Sequence, residues 1–142
     1  MSDRLKKLEA LIGVWSTTIT TVNEDGTSGG TSQATDTYRW SPSKSFVLHD
    51  ADVQMTGEQT HSLEIIALDP KSDGYDARAY EADGSFADYK AALDGRSWTI
   101  NGDTLRFRGS FSEDGDVLSG QWDESRDGSW RAIMRVSLQK QP

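Results

Sequence analysis

The stretch Arg96-Ser97-Trp98-Thr99-Ile100-Asn101-Gly102-Asp103-Thr104-Leu105-Arg106-Phe107-Arg108-Gly109-Ser110-Phe111 reads as two strands around a turn. Asn-Gly between alternating segments is the strongest short-range hairpin signal, because both residues tolerate the positive φ of a tight turn. Leu105, Phe107, Gly109 and Phe111 fall on one face, and Arg106, Arg108 and Ser110 on the other. That period of two is the mark of a strand with one protein-facing surface. The next segments repeat it. Leu118, Gly120 and Trp122 alternate with Ser119, Gln121 and Asp123. Trp130, Ala132, Met134, Val136 and Leu138 alternate with Arg131, Ile133 and Arg135.

Working outward, the same grammar covers most of the chain. Strands are expected over 14–22, 31–40, 45–55, 58–68, 75–81, 85–91, 96–100, 103–111, 117–124 and 129–138, about ten in all. Turns are expected at Asn23-Glu24-Asp25-Gly26, Thr56-Gly57, Asp69 to Gly74, Ala82-Asp83-Gly84, Asp94-Gly95, Asn101-Gly102, Glu113-Asp114-Gly115 and Asp127-Gly128. Ahead of them, Leu5, Leu8, Leu11 and Ile12 recur at helical spacing, with Ser2 or Asp3 as cap and Gly13 as stop. A helix this short must pack on something, and closing one mouth of a barrel is a natural role.

An antiparallel meander of this length has to dispose of its edges, and closure removes them. A propeller needs more blades than 142 residues supply. An immunoglobulin-like sandwich uses fewer strands and longer crossovers. The expected fold is therefore all-β: an up-and-down antiparallel barrel with a short N-terminal helix at one end, residues 1–142 forming a single domain.

Composition excludes several functions. Fifteen Lys+Arg against 23 Asp+Glu leave a net charge of −8. Such a surface repels phosphate backbones and anionic membranes, so neither a nucleic-acid nor a membrane partner is expected. No cysteine is present, which excludes thiolate nucleophiles, disulfides and Cys-ligated metals. The charged start shows no leader-like apolar core, and the expected location is the cytoplasm.

The two histidines, His49 and His61, are the candidate catalytic side chains. A hairpin centred between residues 56 and 57 sets His49 near Glu64 and Asp52 near His61. Asp50, Asp52, Glu58 and Glu64 offer carboxylates for acid/base work, or simply a solvated acidic face; the histidines with Asp50, Asp52 or Glu64 offer a metal site, or ordinary cross-strand pairing. In the 45–55 strand, Val47, His49, Ala51, Val53 and Met55 look like the interior set. In the 58–68 strand, His61 shares a face with Leu63, Ile65 and Ala67. No His-Glu-x-x-His zinc motif, Gly-x-Ser-x-Gly elbow or phosphate loop occurs, and no metal or cofactor is expected.

Aromatic residues exceed what one barrel plug needs, and ten strands enclose room for a ligand. Trp40, His49, His61, Tyr80, Trp98 and Trp122 are the candidate ligand-binding residues for a small hydrophobic or aromatic molecule. Arg39, Arg78, Arg106 and Arg108 would recognise a carboxylate only where one points inward. Three readings follow. A binding barrel has an open cavity without convergent titratable groups. An enzyme (isomerase, cyclase or hydrolase) has His49 or His61 facing a carboxylate in that cavity. An interaction barrel, such as a homodimer, has a filled core and an exposed aromatic patch.

Gly13-Val14-Trp15 after the helix, with Arg135 in the last strand, resembles the Gly-x-Trp signature and closing Arg of the calycin superfamily, which includes lipocalins and fatty-acid-binding proteins. That resemblance implies structural roles for Gly13, Trp15 and Arg135, the arginine stacking across the indole with Arg131 as the alternative. The segments Leu11 to Trp15, Tyr38-Arg39-Trp40-Ser41-Pro42, Phe46-Val47-Leu48-His49, Leu63 to Lys71 and Phe111 to Trp122 together resemble the bacterial DUF1579 family of uncharacterised lipocalin-like proteins. The family implies a roughly ten-stranded barrel and carries no assigned reaction. Nitrobindins, related small barrels, hold haem through one histidine; their motif and their histidine near the chain end are absent here.

Overall fold

A computed structural model describes residues 2–55 and 58–142. The chain opens with one α-helical turn, α1 (Asp3–Lys6), capped by the Ser2 hydroxyl, which accepts from the Leu5 amide at 3.2 Å. It then tightens into a 3-10 segment over Lys7–Leu11 rather than continuing as α-helix. The spacing explains the change. Leu5, Leu8 and Leu11 recur every three residues, the period of a 3-10 helix, and all three are buried.

Ten strands follow: β1 (Gly13–Val22), β2 (Ser28–Trp40), β3 (Val47–Met55), β4 (Glu58–Leu68), β5 (Tyr75–Tyr80), β6 (Phe86–Asp94), β7 (Ser97–Asn101), β8 (Leu105–Phe111), β9 (Val117–Arg126) and β10 (Ser129–Lys140). Each pairs antiparallel with the next, and β1 pairs with β10 from Trp15↔Lys140 to Thr21↔Met134, which closes the barrel. The expected all-β up-and-down architecture is observed. Thr56 and Gly57, where a turn is expected, lie outside the described residues. Among the described residues, no helix is long and apolar enough to cross a membrane.

One end of the barrel is filled. Leu8, Leu11, Trp15, Val47, Ile66, Tyr75, Trp98 and Leu118 form its packed floor. Trp15 is fully buried and donates from its indole to the Leu11 carbonyl at 2.8 Å. Its cationic partner is Lys140, whose ammonium lies 5.2 Å from the ring centroid. Arg135 is exposed and sits opposite Thr20, five residues from Lys140, so the expected Arg135–Trp15 stack is corrected. Arg131 takes no part either; it sits opposite Glu124 near the other end of β10. The cause lies in register: Trp15 lies opposite Lys140, the last residue of β10, beyond the reach of either arginine. Gly13 makes the substitution workable. Its φ is +141°, and a Cβ there would sit 2.9 Å from Lys140 Cε, where the lysine stem now passes.

Two turn signals behave differently from expectation. Asp127-Gly128 has positive φ at both residues, the type I′ pattern. Asn101-Gly102 does not. Asn101 ends β7, and the Gly102 amide donates to the Leu105 carbonyl at 2.8 Å, which moves the turn to Asp103-Thr104. Gly102 is instead a close-approach position, since a Cβ would come within 2.6 Å of the Tyr89 ring. A bulge between Ala132 and Met134 also splits the face expected along β10. Met134, Val136 and Leu138 line the interior, whereas Trp130 lies outside beneath the Arg106 guanidinium, 4.3 Å from its centroid.

Candidate ligand cavity

Above the packed floor the barrel interior is open, with a cavity of about 310 Å³. Small inward side chains leave this space. Thr17 lies opposite Ala34, and Asp36, Ala51 and Ser62 follow one another across β2, β3 and β4. The far wall is bulky and aromatic, with Trp98, Phe107, Trp122 and Tyr89. Phe107 is pressed toward the sheet over Gly109 and Gly120, which are opposite each other. A Cβ on either glycine would meet the Phe107 ring at 2.6 Å or 2.3 Å.

A polar cluster occupies the small-residue wall. Tyr38, His49 and Glu64 form one cross-strand row on β2, β3 and β4. His49 Nδ1 lies 2.9 Å from Glu64 Oε1, and its Nε2 lies 2.6 Å from Asp36 Oδ1. Thr17 donates to the second Asp36 oxygen at 2.5 Å. The Tyr38 ring stacks on the imidazole at 3.9 Å between centroids and 8° between planes. The side chains of His49, Asp36 and Glu64 are only 15%, 12% and 13% exposed.

This geometry sets the charge. An ionised carboxylate only accepts hydrogen bonds, so two carboxylates at the two ring nitrogens favour an imidazole that donates from both. Burial alone would push His49 toward neutrality. The hydrogen bonds to Asp36 and Glu64, with their charges, outweigh it and lift the His49 pKa to about 9. Burial, reinforced by the Asp36 and Glu64 charges, holds the Tyr38 phenol well above its ordinary value, so it stays protonated.

The other candidate residues separate cleanly. Trp98 and Trp122 line the cavity with His49. Trp40 does not: it lies at the filled end, where its indole donates to Glu9 at 2.8 Å. His61 and Tyr80 are likewise corrected, because their side chains lie outside the barrel. The interior set of β4 is Ser62, Glu64, Ile66 and Leu68, which leaves His61 on the outer face, 3.2 Å from Asp50. Tyr80 packs on Phe86, whose other neighbour is the Arg78 guanidinium. Of the carboxylates considered for acid/base work, only Glu64 lines the cavity, and Glu58 is exposed at the start of β4. Asp50 pairs with Arg39, and Asp52 accepts from Gln59. Asp36 went unselected in the sequence, although it shares parity with Ala34, Tyr38 and Trp40 and so belongs to the inner face.

Neither histidine suits a haem iron. An iron ligand must present a nitrogen lone pair, and both His49 nitrogens are engaged by carboxylates, while His61 is outside. Among the described residues, no group of three or more His, Cys, Asp or Glu side chains is arranged to hold a metal ion.

No family model matches the chain. No curated protein matches it either. Among solved structures, it is similar to the crystal structure of Rv2717c from M. tuberculosis, at 12% identity over 100% of this chain and 99% of that one, with a TM-score of 0.68. At that identity, the likeness bears on the barrel fold alone.

Proposed function

We propose that the barrel binds a small, largely apolar molecule in its open half. The observation that carries this reading is the cavity of about 310 Å³, bulky and aromatic on one wall and polar at one cluster on the other. Small-molecule sites have this form: roughly 300–1,000 Å³, mostly apolar, with few polar groups that orient the ligand. The kinship with DUF1579 and the calycins belongs to the same proposal, supported by the order of the quoted segments and by the barrel itself. The interaction reading has less behind it, because the exposed Phe86 and Trp130 lie on separate strands, β6 and β10, and each carries an arginine over one ring face.

One observation favours a second reading. His49 faces carboxylates inside the cavity, the arrangement set out above for an enzyme. Its protonation argues against a basic role. With both nitrogens donating and a pKa of about 9, it has no free lone pair at neutral pH to take a proton. In the binding reading the same imidazolium holds two carboxylates in place on the wall.

Native mass spectrometry of freshly purified protein, with an absorption spectrum of the same sample, tests the proposal. A retained organic mass is expected, and it should be lost in an Ala51→Phe variant that fills the cavity from β3. A bare protein mass, together with no saturable binding of the neutral fluorescent probe N-phenyl-1-naphthylamine, would overturn it.

A further inference from the structure

The charges around the cavity are one-sided. Asp36, Glu64 and Glu81 line it with His49, and among the described residues no lysine or arginine does. Counting His49 as the imidazolium its two partners demand, three negative charges face one positive charge. The four arginines considered above for a carboxylate are turned outward. Arg39 pairs with Asp50, Arg78 with Asp88, and Arg106 and Arg108 with Asp123. A fatty-acid-like carboxylate would enter this space and find its one cation, His49, already held by Asp36 and Glu64, and desolvating an unpaired carboxylate there is costly.

A second, independent feature points into the same space. Tyr38 is 6% exposed and lines the cavity, yet its hydroxyl makes no hydrogen bond to any other described residue. Its ring is fixed by the stack on His49, so the oxygen is held in position as an acceptor. The aromatic wall of Trp98, Phe107 and Trp122 can hold an apolar body, and indole faces attract cations. The whole chain, at −8, draws cations toward it at long range.

We propose that the ligand of this cavity is a hydrophobic amine, its protonated nitrogen seated among Glu64, Asp36 and the Tyr38 hydroxyl and its apolar body against the aromatic wall. This rests on the small-molecule reading above and specifies the chemistry of the head group.

The test uses three probes with one body and different heads: 4-phenylbutylamine, 4-phenylbutan-1-ol and 4-phenylbutanoate. Each is titrated into the full chain at pH 7 and followed by tryptophan fluorescence. The amine is expected to bind about tenfold or more tighter than the alcohol, since an ion-paired hydrogen bond exceeds a neutral one, and the acid weakest. Glu64→Gln should remove about tenfold of the amine's affinity and leave the alcohol's unchanged. Where that variant fails to fold, Tyr38→Phe, which keeps the stack, and Glu81→Gln should each lower amine affinity selectively. Saturable alcohol binding with no preference for the amine, or with the acid tightest, would overturn the amine assignment and leave the cavity reading standing. No binding by any of the three would overturn both.

Discussion

Burial ordinarily drives the charge off a histidine; at position 49 two carboxylates reverse the balance. The consequence is a pH-dependent stability. The unfolded imidazole titrates near its ordinary 6.5 and the folded one at about 9. The stabilisation is therefore whole below about pH 6.5 and is lost as pH rises through 9, amounting to ~3 kcal/mol across that window. Urea unfolding of wild type and His49→Gln at pH 6 and pH 9.5 should show the gap between them narrowing by about that amount. Parallel pH profiles would show that His49 does not carry the charge. The His49–Glu64 contact was legible in the sequence, because the hairpin register sets those two residues opposite each other. The Asp36 contact was not, since it crosses to a third strand and joins residues diagonal rather than directly paired. The face of His61 is not legible in the sequence because β4 carries apolar residues on both faces, Leu63 and Ile65 outside against Ile66 and Leu68 inside, so alternation cannot choose.

Strand existence was readable almost everywhere, since period-two alternation and glycine-bearing turns act over a few residues. What alternation cannot show is where a bulge inverts it. The break between Ala132 and Met134 sends Trp130 outside while Met134 stays in, though both have the same parity in sequence. Turn glycines were ambiguous for a related reason. Glycine serves positive φ at Gly128 but close approach at Gly102, and the two uses look alike in one sequence. They separate by double substitution. Gly102→Ala should cost about 1–3 kcal/mol by displacing the Tyr89 ring, and most of that cost should vanish in a Tyr89→Ala background. Gly128→Ala should cost about 1 kcal/mol in either background, because its penalty is backbone strain. Thermal or urea unfolding of the variants measures the coupling. Equal costs for Gly102→Ala with and without the Tyr89 ring would refute the packing explanation.

At the scale of the whole molecule, the barrel divides into a packed half and an open half. The division follows side-chain size along the inner face. Leu8, Leu11, Trp15, Ile66 and Trp98 fill one end, while Thr17, Ala34, Ala51, Ser62 and Ala79 leave the other hollow beside the aromatic wall. Closure of the sheet was foreseeable from the need to remove edges, and room for a ligand from the strand count, but the lining of the hollow was not, because it depends on which residues from five different strands reach the same level. The proposed function requires that this hollow, rather than the exterior aromatics, receives a ligand. The most direct measurement is a two-dimensional NMR titration of the ¹⁵N-labelled chain with neutral 4-phenylbutan-1-ol. Saturable shift changes are expected at His49, Ala51, Ser62, Ala79, Phe107 and Trp122, with His61, Phe86 and Trp130 unmoved. Changes centred on the exterior residues, or none at saturating probe, would mean that the hollow is not the ligand site.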